Sequence, residues 1–264
     1  MIREALVEVL RPYQFRGKGR VLQRLVPREG ERTARVFGYR VRLDLGEFIQ
    51  RHVYLGVFER AETHLVRQWL KPGMSFVDVG ANIGYFTLLA SSLVGPTGRV
   101  FACEPSTYAF ARLEATLREN AISQARAFPL ALGTEPGTLN LYFTSPTVTN
   151  HTPSMVAQEG ARAVPVQVCR LDDCIEEWGL EQVDLLKVDV EGFEPRVLAG
   201  ASKALASGRI RAILCELNDP WLRRVGSSAA ELYAFIRGHH YRDLLGTREP
   251  AAGSMENRFF VRAE

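Results

Sequence analysis

The sequence predicts a doubly wound α/β fold, a mostly parallel sheet with helices on both faces. Three observations predict it. From Met74 onward short apolar strands alternate with helical stretches. A glycine-spaced turn, Gly80-Ala81-Asn82-Ile83-Gly84, joins the first of these strands to the first helix. The second strand ends in an acid, Glu104, 24 residues after Gly80. Strands apolar on both sides belong to parallel sheets covered on both faces. The turn with a distant acid is how this architecture receives a nucleoside.

The bulk numbers fit a folded protein. Of 264 residues, 46% are hydrophobic and 24% charged, the balance of a globular chain rather than a disordered one. A formal net charge of +3 is too small to argue for nucleic acid. The early basic residues Arg11, Arg16, Lys18, Arg20, Arg24 and Arg28 read as a solvated face. Met1–Leu10 lacks the apolar run of a signal peptide, and no run reaches the ~18 apolar residues of a spanning helix, so the expectation is a cytoplasmic protein. Cys103 and Cys215 lie in apolar runs and read as packed hydrophobes. Cys169 and Cys174 lack the second pair that a zinc site needs.

Taken in order, residues 1–26 read as a helix followed by a basic loop, with Gly17–Gly19 as breakers, and residues 34–58 as antiparallel strands with turns at Gly38 and Gly46. Residues 1–58 thus form an extension, and 59–264 the main domain. A helix is expected from Ala61 to Leu70, stopped by Lys71-Pro72-Gly73. Strands then follow at Phe76–Val79, Val100–Cys103, Ala127–Ala131, Val183–Val190, Ile210–Leu217 and Arg258–Val261. Helices fall at Ile83–Leu93, Tyr108–Asn120, Glu194–Ala206 (broken near Pro195) and Glu231–Gly238. Residues 134–170 break this rhythm. Leu139–Phe143 and Val164–Val168 read as added strands around a polar loop, Thr144–Gly160. An insertion of this length usually carries a site or a lid.

The turn carries the chemistry. Gly80 suits unusual backbone angles and lets a ligand approach, Gly84 permits close helix packing, and the following helix N-terminus offers N–H groups to ligand oxygens. Glu104, in the run Glu104-Pro105-Ser106, can accept hydrogen bonds from two ribose hydroxyls. Asp78 stands just before the turn, and only two of the glycines of a dinucleotide loop are present. An acid there repels a pyrophosphate but suits the ammonium and sulfonium of S-adenosylmethionine. The contacts expected for that cofactor are Asp78, Gly80, Ala81, Asn82, Ile83, Gly84, Glu104, Pro105, Ser106 and Asp189.

These stretches, together with Val183-Asp184-Leu185-Leu186-Lys187-Val188-Asp189-Val190-Glu191-Gly192-Phe193-Glu194, resemble the FkbM family of methyltransferases. The resemblance spans roughly Glu59 to Leu217 and leaves the first 50 residues and the tail outside it. It implies a Rossmann-like class I methyltransferase sheet and methylation of a hydroxyl, with S-adenosyl-L-homocysteine as product. The implied acceptors are sugars, glycosides or other small natural products. A hydroxyl needs a base or a metal to become a nucleophile. Lys187, Asp189 and Glu191 alternate and share a side if the strand persists that far, with Asp189 or Glu191 as leading base. Read structurally, the same residues are a supporting salt-bridge network. His151 is a further base candidate, and Asn150, His151, Glu216 and Asn218 are candidate acceptor contacts. Asp189, Glu191 and Glu216 are also oxygen ligands of the kind Mg²⁺ favours, though a metal is not expected. Tyr54 and Glu59 could close over the cofactor or serve in packing and capping. The competing readings are a nucleic-acid methyltransferase, a nicotinamide-dependent oxidoreductase and a non-catalytic binding module. No nucleic-acid partner is expected, because the tetrads and stacking aromatics of such enzymes are missing. Oligomeric state leaves no mark in the sequence.

Overall fold

The structure, a computed structural model, describes residues 18–143, 154–155, 159–246 and 248–263. Its centre is a seven-stranded sheet. In chain order the strands are β3 (Ser75–Val79), β4 (Arg99–Cys103), β5 (Ala125–Phe128), β9 (Leu185–Val188), β10 (Ala212–Asn218), β11 (Tyr241–Asp243) and β12 (Met255–Arg262). Their spatial order is β11-β12-β10-β9-β3-β4-β5. The strands from β10 to β5 run parallel, and β12 alone runs against its neighbours β10 and β11. Chain order reverses between β3 and β9, and ligands bind at such a switch point, beyond the carboxyl ends of the strands.

Both faces of the sheet are covered. One face joins Phe76, Val100, Ala102, Leu185, Ala212 and Leu214 to α3 (Arg60–Trp69), α4 (Tyr85–Val94) and α5 (Thr107–Glu119). The other joins Val77, Val79, Phe101, Leu186, Val188, Ile213 and Cys215 to α6 (Leu171–Glu177), α7 (Glu194–Ala199), α8 (Ser202–Ala206) and α10 (Ala229–Gly238). The doubly wound expectation therefore holds, and β3 and β9 are buried throughout. A second sheet, β6-β8-β7, forms from β6 (Ala131–Leu132), β7 (Gly137–Phe143) and β8 (Arg162–Cys169). The two added strands of the insertion are thus present as an antiparallel pair. Most of the loop between them, including Asn150 and His151, lies outside the described residues.

Several elements depart from the sequence expectation. Lys18–Leu25 is a helix, α1, rather than a basic loop, because Leu22 is buried in the core. Lys18 is itself buried and donates to Gly56 O at 3.2 Å, so it does not belong to a solvated face. Only β1 (Glu31–Val36) and β2 (Tyr39–Asp44) of the 34–58 stretch are strands. Phe48–Leu55 is a helix, α2: Glu47 caps it by accepting from Gln50 N, and Gly56 ends it in the left-handed conformation. The strand expected at 127–131 divides between β5 and β6, since Pro129 cannot donate to a ladder. The helix break lies at Gly200-Ala201, not Pro195, which sits in the first turn of α7. A Cβ on Gly200 would stand 2.1 Å from Gly133 O, so that contact fixes where the chain bends. The helices α6 and α9 (Asp219–Arg224) and the strand β11 carried no pattern strong enough to read.

One buried acid ties the entry to the sheet. Asp184 accepts from Ser75 N at 2.8 Å, Ser75 Oγ at 3.0 Å and Gln182 Nε2 at 2.6 Å, while its carbonyl takes the Trp69 indole N–H at 2.8 Å. It thereby joins α3, β3 and the residue before β9. Asp184→Ala strands a buried N–H and should cost about 2–4 kcal/mol, read as a lower urea midpoint with unchanged slope.

Candidate active site

Three neighbouring strands build the site by one rule. On the face that carries Phe76, Leu185 and Leu214, each strand changes from apolar to ionisable near its carboxyl end, at Asp78, Lys187 and Glu216. Register places Asp78 opposite Lys187 and Leu214 opposite Lys187. The three side chains therefore open into one cleft of about 120 Å³. Its walls also include Gly80, Ala81, Asn82, Ile83, Tyr85, Phe86, Asp189 and Glu191, with Ile49, Phe58 and Glu59 from the N-terminal side.

The β3–α4 turn is built from its own hydrogen bonds. Gly80 N and Ala81 N donate to Cys103 O at 3.0 and 3.1 Å, and Asn82 N donates to Glu104 Oε2 at 2.8 Å. Ile83 N meets Asn82 Oδ1 at 2.7 Å, and Gly84 N meets Ala81 O at 2.8 Å. All five of these turn N–H groups are occupied, so the turn itself is no cradle for a pyrophosphate. Gly80 keeps the unusual backbone angle expected of it, but its close neighbour is not the one expected. Gly80 has φ +80°, and a Cβ there would stand 2.0 Å from Asp189 O, so the close neighbour is the backbone just after β9 rather than a ligand. A Cβ on Gly84 would stand 2.5 Å from Leu113 Cδ1, so its tight packing is against α5.

Charge in the cleft is lopsided. Glu59, Asp78, Asp189, Glu191 and Glu216 face a single cation, Lys187, among the described lining residues. Lys187 Nζ holds Asp189 Oδ2 at 2.8 Å and lies 4.9 Å from the centre of the Phe86 ring. Burial works to lower the Lys187 pKa, but Asp189, Glu59 and Asp78 outweigh it and raise it above the ordinary lysine value. Asp78 is fully buried; its Oδ2 accepts from Thr87 Oγ1 at 2.6 Å, and its Oδ1 has no partner among the described residues. Burial raises its pKa against the pull of Lys187. Glu59 Oε2 and Glu216 Oε2 are likewise buried and unpartnered among the described residues, and burial pushes both carboxyls up. Two like charges 4 Å apart repel by about 4 kcal/mol at an effective dielectric of 20. The acids of this cleft therefore suit a cation better than a diphosphate.

β9 ends at Val188, so Asp189 and Glu191 are not strand residues as the alternation implied. They still reach the same cleft, by a turn. Glu191 takes φ +53° and Gly192 φ +95°. Glu194 Oε1 accepts from Val190 N at 2.9 Å and Gly192 N at 3.2 Å and so closes that turn. Burial, then the neighbouring Asp189, pushes the Glu191 carboxyl up to about 7. Burial also brings Glu194 to about 7. Ser154 Oγ donates to Glu191 O at 3.2 Å and anchors the insertion to the turn.

Other residues named from the sequence sit beside the cleft rather than in its lining. Glu104 lies behind the turn and is 6% exposed; Oε2 accepts from Asn82 N, and Oε1 accepts from Ser106 N at 2.7 Å. Burial, only partly offset by those bonds, brings it to about 7. Each oxygen keeps a second lone pair for a hydroxyl. Ser106 caps α5, Pro105 precedes it, and Gly84 precedes α4. Asn218, whose buried Oδ1 has no partner among the described residues, ends β10 at the N-cap position of α9, outside the lining. Tyr54 is buried and packs in the core. Ile49, Phe58 and Tyr85 were not foreseen; they belong to a helix that read as strand and to the segment after it, or follow the motif on α4. Among the described residues no three His, Cys, Asp or Glu side chains are grouped to hold a metal ion, and no helix is long and apolar enough to cross a membrane.

The chain is similar to known proteins in sequence. Residues 78–242 match the Methyltransferase FkbM domain. The chain is 32% identical over 200 residues to the 31-O-demethyl-FK506 methyltransferase FkbM of Streptomyces tacrolimicus, covering 65% of this chain and 74% of that one. It is 33% identical over 132 residues to the hexuronic acid methyltransferase AglP of Haloferax volcanii, covering 49% and 51%. It is 28% identical over 165 residues to the 2-O-methyltransferase NoeI of Sinorhizobium fredii, covering 56% and 65%. The chain thus spans half to two thirds of these last two relatives. The match takes in the glycine turn, Glu104, the Lys187–Glu194 run and Glu216, more than half of the sequence, and the chain belongs to the FkbM family of methyltransferases.

Proposed function

We propose that this methyltransferase moves the methyl group of S-adenosylmethionine onto a hydroxyl of a small molecule, a sugar, glycoside or similar natural product. The observation that carries the reading is the fully buried Asp78 Oδ1, unpartnered among the described residues, in an acid-rich cleft beside a turn whose amides from Gly80 to Gly84 are all bonded. That environment fits a cationic amino-acid group and a sulfonium, and it opposes a dinucleotide. Two relatives are named for oxygen positions and one for hexuronic acid, which favours a hydroxyl acceptor of small size.

When bound, the donor supplies a methyl already activated on sulfur. The protein's part is to align the acceptor and remove its proton. Asp78 takes the donor's ammonium, and Glu104 takes the ribose hydroxyls on its second lone pairs. Gly80, Ala81, Asn82 and Ile83 form the wall beside the donor, with Gly84, Pro105 and Ser106 shaping the ends of their helices. Glu191 is the favoured base: its side chain is in no recorded ion pair, and its pKa of about 7 suits proton transfer near neutrality. Asp189 is held by Lys187 and orients the site. Glu216, pushed up by burial, is protonated at neutral pH and donates a hydrogen bond to the acceptor. Asn218 stands further along the same strand, and Asn150 and His151 are assigned to the acceptor side from the sequence.

Glu191→Gln should lower kcat by about 10²–10⁴ with S-adenosylhomocysteine affinity retained, measured by methyl-transfer assay and calorimetry. Normal turnover would remove Glu191 as base. Glu104→Ala should abolish most of the rise in melting temperature that S-adenosylhomocysteine produces; an unchanged rise would refute the ribose role. The carboxyls of Glu104, Glu191 and Glu194 titrate near 7 when folded against an ordinary 4.5. The folded state therefore holds more protons than the unfolded one across that window, and the stability of the free protein should fall as pH rises through it. A melting temperature that climbs from pH 5 to pH 7 in the absence of ligand would contradict this.

A further inference from the structure

Glu59 lies outside residues 78–242, which match the Methyltransferase FkbM domain, yet its side chain lines the cleft. Three features set it apart from a packing residue. Its backbone has φ +31° and ψ +59°, a left-handed conformation that residues with a side chain rarely adopt. It occupies the N-cap position of α3 but makes no side-chain cap, so capping does not explain the strain. Its Oε2 is buried without a partner among the described residues, as is Asp78 Oδ1 in the same cleft. The strained backbone is held in place: Thr63 Oγ1 donates to Glu59 O at 2.6 Å, and Tyr85 OH donates to the preceding carbonyl, Phe58 O, at 3.3 Å.

Two unpartnered carboxylate oxygens on one cleft call for a ligand with several N–H donors and positive charge. Lys187 does not fill that need: its ammonium bonds Asp189, and neither Glu59 Oε2 nor Asp78 Oδ1 receives a hydrogen bond from it. An α-ammonium group carries three donors, enough for one charge-assisted bond to each acid. We infer that Glu59 and Asp78 together hold the α-ammonium of the methyl donor, with Glu59 supplied by the segment that packs over the cleft from the N-terminal side. The inference rests on the reading of this cleft as the S-adenosylmethionine site.

Calorimetry with two probes, S-adenosylhomocysteine and its deaminated analogue, tests it on the wild-type protein and Glu59→Gln. The wild type should bind S-adenosylhomocysteine at least about tenfold more tightly than the analogue. Glu59→Gln should weaken S-adenosylhomocysteine about tenfold while leaving the analogue's affinity within about twofold. Equal losses for both probes, or no loss for either, would overturn the inference, because a wall residue acts on both ligands alike. Glu59→Gly provides a second variant that relieves the backbone. It should melt no lower than wild type without ligand and show the same selective loss. A wild-type protein that binds neither probe would instead bring down the methyl-donor reading itself.

Discussion

Lys187 carries its ammonium to the carboxyl edge of the sheet with 4% of its surface exposed, and only the acids around it make that burial tolerable. Asp189 meets it at 2.8 Å, the Phe86 ring faces it from α4, and Asp78 and Glu59 add to the field that keeps it charged. An unpaired buried ammonium would lose its proton or unfold the edge. The dependence runs the other way as well. Removal of this cation would leave Asp78, Asp189, Glu59, Glu191 and Glu216 crowded together with no positive charge among the described lining residues. The lining thus gathers more acids than its one cation pairs with among the described residues, and this imbalance is the basis of the proposed cationic ligand.

The same constraint explains the local architecture. Asp78 and Lys187 lie in register on adjacent strands, and the Leu214 neighbour of Lys187 puts Glu216 two residues further on the same face. Gly80 has to be glycine because the Asp189 backbone, just after β9, passes where its Cβ would be. Glu194 ties the turn that swings Glu191 back to the cleft after the strand has ended. Each device holds an acid in a place from which water is largely excluded, where charge interactions are strongest.

Much of this was legible in the sequence because it rests on local pattern. Phe76–Val79 and the glycine turn read correctly as strand and turn, since apolar runs and glycine spacing are short-range signals. Asp78, Lys187, Asp189, Glu191 and Glu216 were singled out, and the fold brings them together. The alternation argument for Glu191 gave the right neighbourhood for the wrong reason: the strand stops at Val188, and a left-handed turn does the rest. Helix α2 was missed because Phe48, Val53 and Leu55 also fit a strand, and the Glu47 cap that decides the matter is a single hydrogen bond. Glu59 stood out weakly, as one acid before a helix. Its strained backbone and orphaned oxygen are properties of packing, which no spacing encodes. Gly200 is similar, its bend being imposed by Gly133 across the fold.

In the proposed reading the acceptor side is built from pieces without a code of their own: the β6-β8-β7 sheet, the anchoring of Ser154 on Glu191, and the α2 helix over the cleft. In that reading these pieces decide what reaches Glu191, whereas the donor's place depends on the acids of the switch point. The most direct measurement is a crystal structure with S-adenosylhomocysteine bound. The account predicts the amino group against Asp78 Oδ1, the ribose at Glu104 and the sulfur facing Glu191. A ligand lodged elsewhere, or turned so that its carboxylate lies against Asp78, would contradict it.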